Sequence, residues 1–432
     1  MTGHPDRTRS VMLFVVYAVM LLYPAFMFIQ REVRSQYLAV LLLMAIYGFV
    51  TKKIRPSHYA LHRSDYLVLF SFALIAIIAW VSYAHFGFQD YAKQRVEKYT
   101  WFLLSIPVYY LFLYTKPRLE IIWLGVVIGC FVAFGRALLE EFSLVDPIAW
   151  KEVKDRAHGS MHPIRFGDLS LLMGCIALNG AINLPKLKPL IRLIGIVGFF
   201  SGLGASILSG SRGGWIALPV LLGVILWFKL RQEKSRKGFV IFSAIFLGLV
   251  GFVMSSDVVQ QRMYDAMQEV KLYVEENQKW SPVGERIEMY KTALNAFIVH
   301  PVFGVGVGGY HPYSIEYSRE YNKLNKRKLP RGVTRWKNPH NEFLLHAATR
   351  GIVGLSALIF MMAIISLRGL LGGNVSVKEA SRFSSVNLIL LGVGFSIFGL
   401  TIALFEHKDF LLFFLIYVMV SLASLKDPTG EQ

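Results

Sequence analysis

Charge is scarce in this chain. Of its 432 residues, 17% are Asp, Glu, Lys or Arg, where soluble domains average about 25%. Acid is scarcer than base, with 28 Asp and Glu against 46 Lys and Arg. Cysteine is almost absent: Cys130 and Cys175 each lie inside an apolar run, which implies two buried thiols and no disulfide framework. Apolar and polar residues do not alternate with period two, which excludes a transmembrane barrel. There is no outer Asp-x-Asp pair and no spaced His/Cys set, so neither a metal nor a cofactor is expected. His158 and His162 are four apart, but no carboxylate partner is obvious. The first apolar run, Val11 to Ile29, is long enough to span and has no small-residue cleavage site after it, so it reads as a helix and not as a removed leader.

What the sequence has is hydrocarbon: 54% of residues are hydrophobic and the mean hydropathy is +0.47. A span needs about 20 mostly apolar residues, and in lipid only helices or closed barrels satisfy the backbone. The expectation is an all-α polytopic membrane protein with about a dozen spans, near 11–29, 37–50, 66–85, 100–114, 119–139, 164–183, 190–209, 213–229, 238–254, 342–367, 385–405 and 409–425. With the N-terminus inside, the inner segments hold twice as many Lys and Arg as the short outer loops. That bias puts both termini in the cytoplasm and residues 255–340 outside. Three segments follow: spans one to nine in 1–254, an outer loop domain in 255–341, and the last three spans with a cytoplasmic tail in 342–432.

The loop carries two amphipathic patterns. Val259, Met263, Met267, Val270 and Val274 fall on one face of a helix over Val258–Trp280. Ser281 caps a second helix at Glu285–Val299, with Pro282 at its first position and Ile287, Tyr290, Leu294 and Phe297 as its stripe. Such helices lie on the outer membrane surface or fold over the bundle mouth.

Ionisable groups at the ends of apolar spans are costly, and default to functional candidates. Four clusters qualify, all on the outer side. In His162-Pro163-Ile164-Arg165-Phe166-Gly167-Asp168, Arg165 and Asp168 share a helix face, as an anchoring ion pair or as ligand-binding groups. Ser209-Gly210-Ser211-Arg212-Gly213-Gly214-Trp215 is a tight turn whose arginine suits a phosphate, or snorkels at the interface. Gly284-Glu285-Arg286 opens the second loop helix, where anions are favoured, or is a surface charge set. Lys337-Asn338-Pro339-His340-Asn341-Glu342 precedes a long span. His340 is a proton acceptor near neutral pH that Asn341 and Glu342 would orient, in a segment that also reads as a helix cap with Asn338 capping.

Gly304-Val305-Gly306-Val307-Gly308-Gly309 has a dinucleotide-like glycine spacing but lacks the flanking strand and helix. It reads instead as a flexible or closely packed loop over a site. Arg319, Lys323, Lys326, Arg327, Lys328, Arg331, Arg335 and Lys337 face only Glu320. Outside the cell this patch suits an anionic lipid or phosphorylated glycolipid, or is simply solvated, and a nucleic-acid partner is not expected.

Ser211-Arg212-Gly213-Gly214-Trp215, His300-Pro301-Val302-Phe303-Gly304-Val305-Gly306 and Asn338-Pro339-His340-Asn341-Glu342-Phe343-Leu344 together resemble the O-antigen ligase and polymerase superfamily. Order, spacing and the run of spans are similar over nearly the whole chain, and most like the lipopolysaccharide O-antigen ligases. The resemblance implies a metal-independent, C-type glycosyltransferase of a Gram-negative inner membrane, with a periplasmic active site. Its donor would be a glycan on undecaprenyl diphosphate and its acceptor a sugar of lipid A–core, with membrane lipids around it. The family's histidine carries over to His340 and its arginine to Arg212, while Arg165 and Arg286 fit further diphosphate-binding arginines. Asp168, Asn341 and Glu342 would support them. A polymerase or a protein O-oligosaccharyltransferase would use the same donor. A transporter for an anionic solute is a reading from another class.

Overall fold

The computed structural model describes residues 7–30, 34–146, 156–233, 257–325, 328–372 and 379–425, with scattered positions between 240 and 255. Among the described residues there are helices and turns and no strand. The helices are α1 (Arg7–Ile29), α2 (Arg34–Val50), α3 (Arg63–His85), α4 (Asp90–Thr115), α5 (Leu119–Glu141), α6 (Pro163–Asn183), α7 (Pro189–Ser209) and α8 (Arg212–Glu233). After them come α9 (Asp257–Glu275), α10 (Pro282–Val299), α11 (Tyr310–Asn325), α12 (Arg331–Arg335), α13 (Glu342–Gly372), α14 (Glu379–Phe398) and α15 (Lys408–Ser424).

Eight described helices are long and apolar enough to cross a bilayer: α1, α3, α5, α6, α7, α8, α13 and α14. The chain is therefore an all-α polytopic membrane protein, as its composition requires. Three of the twelve expected spans, α2, α4 and α15, are shorter or more polar than those eight. The expected span at 238–254 lies largely outside the described residues. The fourth expected span begins ten residues early, at Asp90, because a charged turn precedes its apolar run. The expected span 385–405 ends at Phe398, and Leu404–Glu406 forms a separate 3-10 turn.

α6 is nearly enclosed, packed against α5, α7, α8 and α14. Its closest neighbour is α7, where a Cβ on Gly202 would lie 2.4 Å from the Ser170 carbonyl oxygen. Small residues at such a crossing let backbones meet, which drives helix association in lipid. α15 is buried along its length, and its Phe414 meets Phe72, Phe102, Phe395 and Phe405. These two sheltered helices each bring one charged first turn to the same end of the bundle.

The segment joining α8 to α13 carries more helix than its apolar pattern foretells. Ser281 caps α10, accepting the Gly284 N–H at 3.0 Å, with Pro282 at the first position as expected. α9 stops at Glu275, five residues before the expected end at Trp280. α11 and α12 are polar and were not foreseen.

The glycine-rich loop after α10 is closely packed, as a Cβ on Gly304, Gly306 or Gly308 would clash with its neighbours. It fills a break in α13. Gly351 has φ 60° and ψ −154°, a region open essentially to glycine. A continuous helix would bond the Ile352 N–H to the Ala348 carbonyl. Here Ile352 donates to Pro301 at 2.8 Å, and Ala348 accepts from Val305 at 2.9 Å. The loop thus satisfies both groups that the break releases.

Candidate functional site

Four chain segments meet around a cavity of about 250 Å³. His162 caps α6, its Nδ1 accepting the Ile164 N–H at 3.3 Å, with Pro163 at the first helical position. One turn on, Arg165 enters the cavity wall. The first turn of α10 supplies Glu285 and Arg286 on another side. Trp336, Asn338 and His340, between α12 and α13, form a third wall. Ile402 and His407, before α15, close it.

His340 is held in a defined pose. Its backbone is left-handed, at φ 53°, a conformation costing about 1–3 kcal/mol for a non-glycine residue. Asn338 Oδ1 accepts the His340 N–H at 3.0 Å. The imidazole meets the Trp336 ring edge-on at 5.2 Å. Burial, and secondarily the Arg286 guanidinium, push the His340 pKa down to about 4. Burial and then Arg165 push His162 down to about 3. His407 falls well below its ordinary value for the same two reasons. All three imidazoles are therefore neutral at physiological pH, in a cavity whose fixed cations are guanidiniums. That chemistry suits an anionic guest and a proton acceptor beside it.

Of the expected site residues, Arg165, Arg286 and His340 line this cavity. Arg212 opens α8, and its side chain lies outside the described ones. The turn that carries it is held from two directions. Arg156 Nε donates to the Ser209 carbonyl at 2.6 Å and Nη2 to Gly210 at 3.2 Å. Ser211 Oγ donates to the Asp168 carboxylate. A Cβ on Gly213 or Gly214 would lie 3.3 Å from that carboxylate, so the glycines let it reach the start of α8, where negative charge is favoured.

Three sequence readings are corrected here. Arg165 does not pair with Asp168, one turn away on the same face. It pairs with Asp409 at the start of α15, which tertiary packing brings closer. Asn341 and Glu342 point away from His340. Asn341 Oδ1 accepts the Leu344 N–H at 2.9 Å and its Nδ2 donates to Leu400, so Asn341, not Asn338, caps α13. Glu342 lies 3.1 Å from His346 Nε2 and accepts the Phe405 N–H. Both anchor the chain just after His340 and leave the imidazole to Trp336.

His162, Trp336 and His407 were not proposed for the site. Signals existed: His162 directly precedes a helix-starting proline, and His407 sits in Glu406-His407-Lys408-Asp409, a charged island between apolar runs. In the basic segment, Arg319, Lys323, Lys328, Arg331, Arg335 and Lys337 are exposed. Lys326 and Arg327 lie outside the described residues.

Residues 197–359 match the family model described as O-antigen ligase. An uncharacterized protein of Haemophilus influenzae is 25% identical over 262 residues, which is 60% of this chain and 62% of that protein's length. The family match covers Arg212, Arg286 and His340, so this stretch of the chain is similar to the O-antigen ligase family.

Proposed function

We propose that this chain is an O-antigen ligase of the Gram-negative inner membrane. It moves a glycan from undecaprenyl diphosphate to a sugar hydroxyl of lipid A–core at the periplasmic face. The observation that carries this reading is the cavity in which a neutral His340 faces Arg286 and Arg165. The donor's diphosphate lies against Arg165, Arg286 and Arg212. The acceptor hydroxyl attacks the anomeric carbon, the bond to the diphosphate oxygen breaks, and the hydroxyl proton passes to a His340 ring nitrogen. Displacement in one step inverts the anomeric centre.

Two barriers oppose this reaction, and the cavity addresses each. Charge grows on the leaving diphosphate, and preorganised guanidiniums in a water-poor site stabilise it strongly. Arginines in the wall can take the place of a divalent cation on the leaving diphosphate, which supports a metal-independent transfer. The acceptor hydroxyl is a poor nucleophile, and a positioned base contributes ~10²–10⁴-fold. An imidazole with a pKa of about 4 is a weak base. A diphosphate bound to Arg286 offsets one cause of that depression, so donor binding itself makes His340 more basic. The exposed basic segment from Arg319 to Lys337 supports a phosphorylated acceptor such as lipid A–core. The candidate groups sit at the starts of α6, α8, α10, α13 and α15. Transporters usually gather theirs near the bilayer midplane, so this placement supports chemistry at a membrane surface.

The test mixes the purified chain with undecaprenyl-diphosphate glycan and lipid A–core, in excess EDTA and without nucleotide. Glycan-capped lipid A–core is the expected product. Product only after a divalent metal is added would overturn the arginine-only electrophile. Longer lipid-linked chains, with the acceptor untouched, would move the assignment to a polymerase.

A further inference from the structure

A second cavity, of about 190 Å³, lies between α3 and the break in α13. Its rim is hydrocarbon: Ile77, Val81 and Phe303 are all exposed. Both flanking helices are apolar spans, so this rim faces lipid. Two buried polar side chains, Arg350 and Ser82, interrupt its otherwise apolar lining.

Arg350 directly precedes the break at Gly351 and is 3% exposed. Its guanidinium stacks on the Tyr99 ring at 4.2 Å, with Nη2 donating to the Tyr99 hydroxyl at 2.7 Å. Nη1 is buried and has no hydrogen-bond partner. Ser82 Oγ accepts the Val307 N–H at 3.0 Å, which leaves its own proton for another acceptor. Among the described residues none of the lining side chains is a carboxylate. The surrounding charge does not balance. Arg95 and Lys98 lie 3.4 and 3.6 Å from Glu406, and Glu342 lies against His346. Arg350, Arg95 and Lys98 are thus three cations against two carboxylates. A buried donor left unpaired is costly, and more so when charged.

We propose that this cavity binds an anionic amphiphile, its head on Arg350 Nη1 and the Ser82 hydroxyl and its chain along Ile77, Val81 and Phe303. An anion there satisfies the orphan donor and cancels the excess charge. A hydrocarbon chain matches the rim. An anionic phospholipid and a polyprenyl phosphate share this chemistry.

The experiment reads lipid retention by native mass spectrometry of the full chain, separately from any transfer assay. Phosphatidylglycerol, phosphatidylcholine and undecaprenyl phosphate are offered as probes. The wild type retains one equivalent of an anionic lipid that it does not retain as phosphatidylcholine. Arg350→Gln loses that equivalent by at least ten-fold, and Arg350→Lys recovers part of it. Val81→Trp, at the lipid-facing mouth where folding is little affected, loses it too. Preference for undecaprenyl phosphate identifies a polyprenyl source, and equal retention of phosphatidylglycerol a bulk-lipid source. Either supports the site. Equal retention of phosphatidylcholine, or unchanged retention in both Arg350→Gln and Val81→Trp, overturns it.

Discussion

Arg165 reaches across 244 positions of sequence to the carboxylate of Asp409, passing over Asp168 on its own helix. The pair ties the start of α6 to the start of α15, the two most sheltered helices of the bundle. It also fixes one guanidinium of the cavity wall. Removing one member of a buried pair leaves an uncompensated charge, at about 3–5 kcal/mol. Asp409→Ala is therefore expected to lower the thermal midpoint in detergent. An unchanged midpoint would show that the pair adds nothing to stability.

His340→Ala is expected to abolish transfer, with a fall in kcat of ~10²–10⁴-fold, while the protein inserts and purifies normally. A variant that keeps kcat but raises the donor KM would recast His340 as a diphosphate ligand. Near wild-type activity would remove it from the mechanism.

The acid limb of the pH profile follows from the sign of the His340 shift. The base acts only when neutral, so kcat/KM is lost as pH falls through the free-enzyme value of about 4. The limb in kcat lies at higher pH, because bound diphosphate opposes the field of Arg286. In the free protein, Arg286→Met raises the imidazole pKa, but short of its ordinary 6.5, since burial is the larger cause. Histidine NMR titration reads that change, and no movement would exonerate Arg286.

Arg212→Ala and Arg212→Lys are both expected to lose at least ~10²-fold in kcat/KM. Lysine restores the charge but not the planar fork that grips two phosphate oxygens. Full rescue by lysine would reduce Arg212 to a point charge.

The apolar spans were legible because their signal is local. Val11 to Ile29 announces α1 by composition alone, and Ser281-Pro282 announces α10 by its cap. α11 was hidden because its stripe is made of tyrosines, Tyr310, Tyr313, Tyr317 and Tyr321, in an otherwise polar segment with no acidic first turn. The charged start of α4 escaped a hydropathy reading for a related reason: Asp90, Lys93 and Arg95 precede its membrane run. Within the site, residue types were readable and partners were not. Helical spacing put Asp168 beside Arg165, and only the packed bundle supplies Asp409. His407 and Trp336 reach His340's cavity through tertiary contacts that no spacing encodes.

The exchange of hydrogen bonds at Gly351 also constrains biogenesis. Ile352 and Ala348 find their partners only on Pro301 and Val305, which are translated earlier. The loop must therefore wait for a later span to arrive. Until it does, the upper and lower halves of α13 have no shared register. Assembly of this end of the bundle is thus coupled to completion of the C-terminal spans, and a chain truncated before Gly351 leaves the loop without its dock.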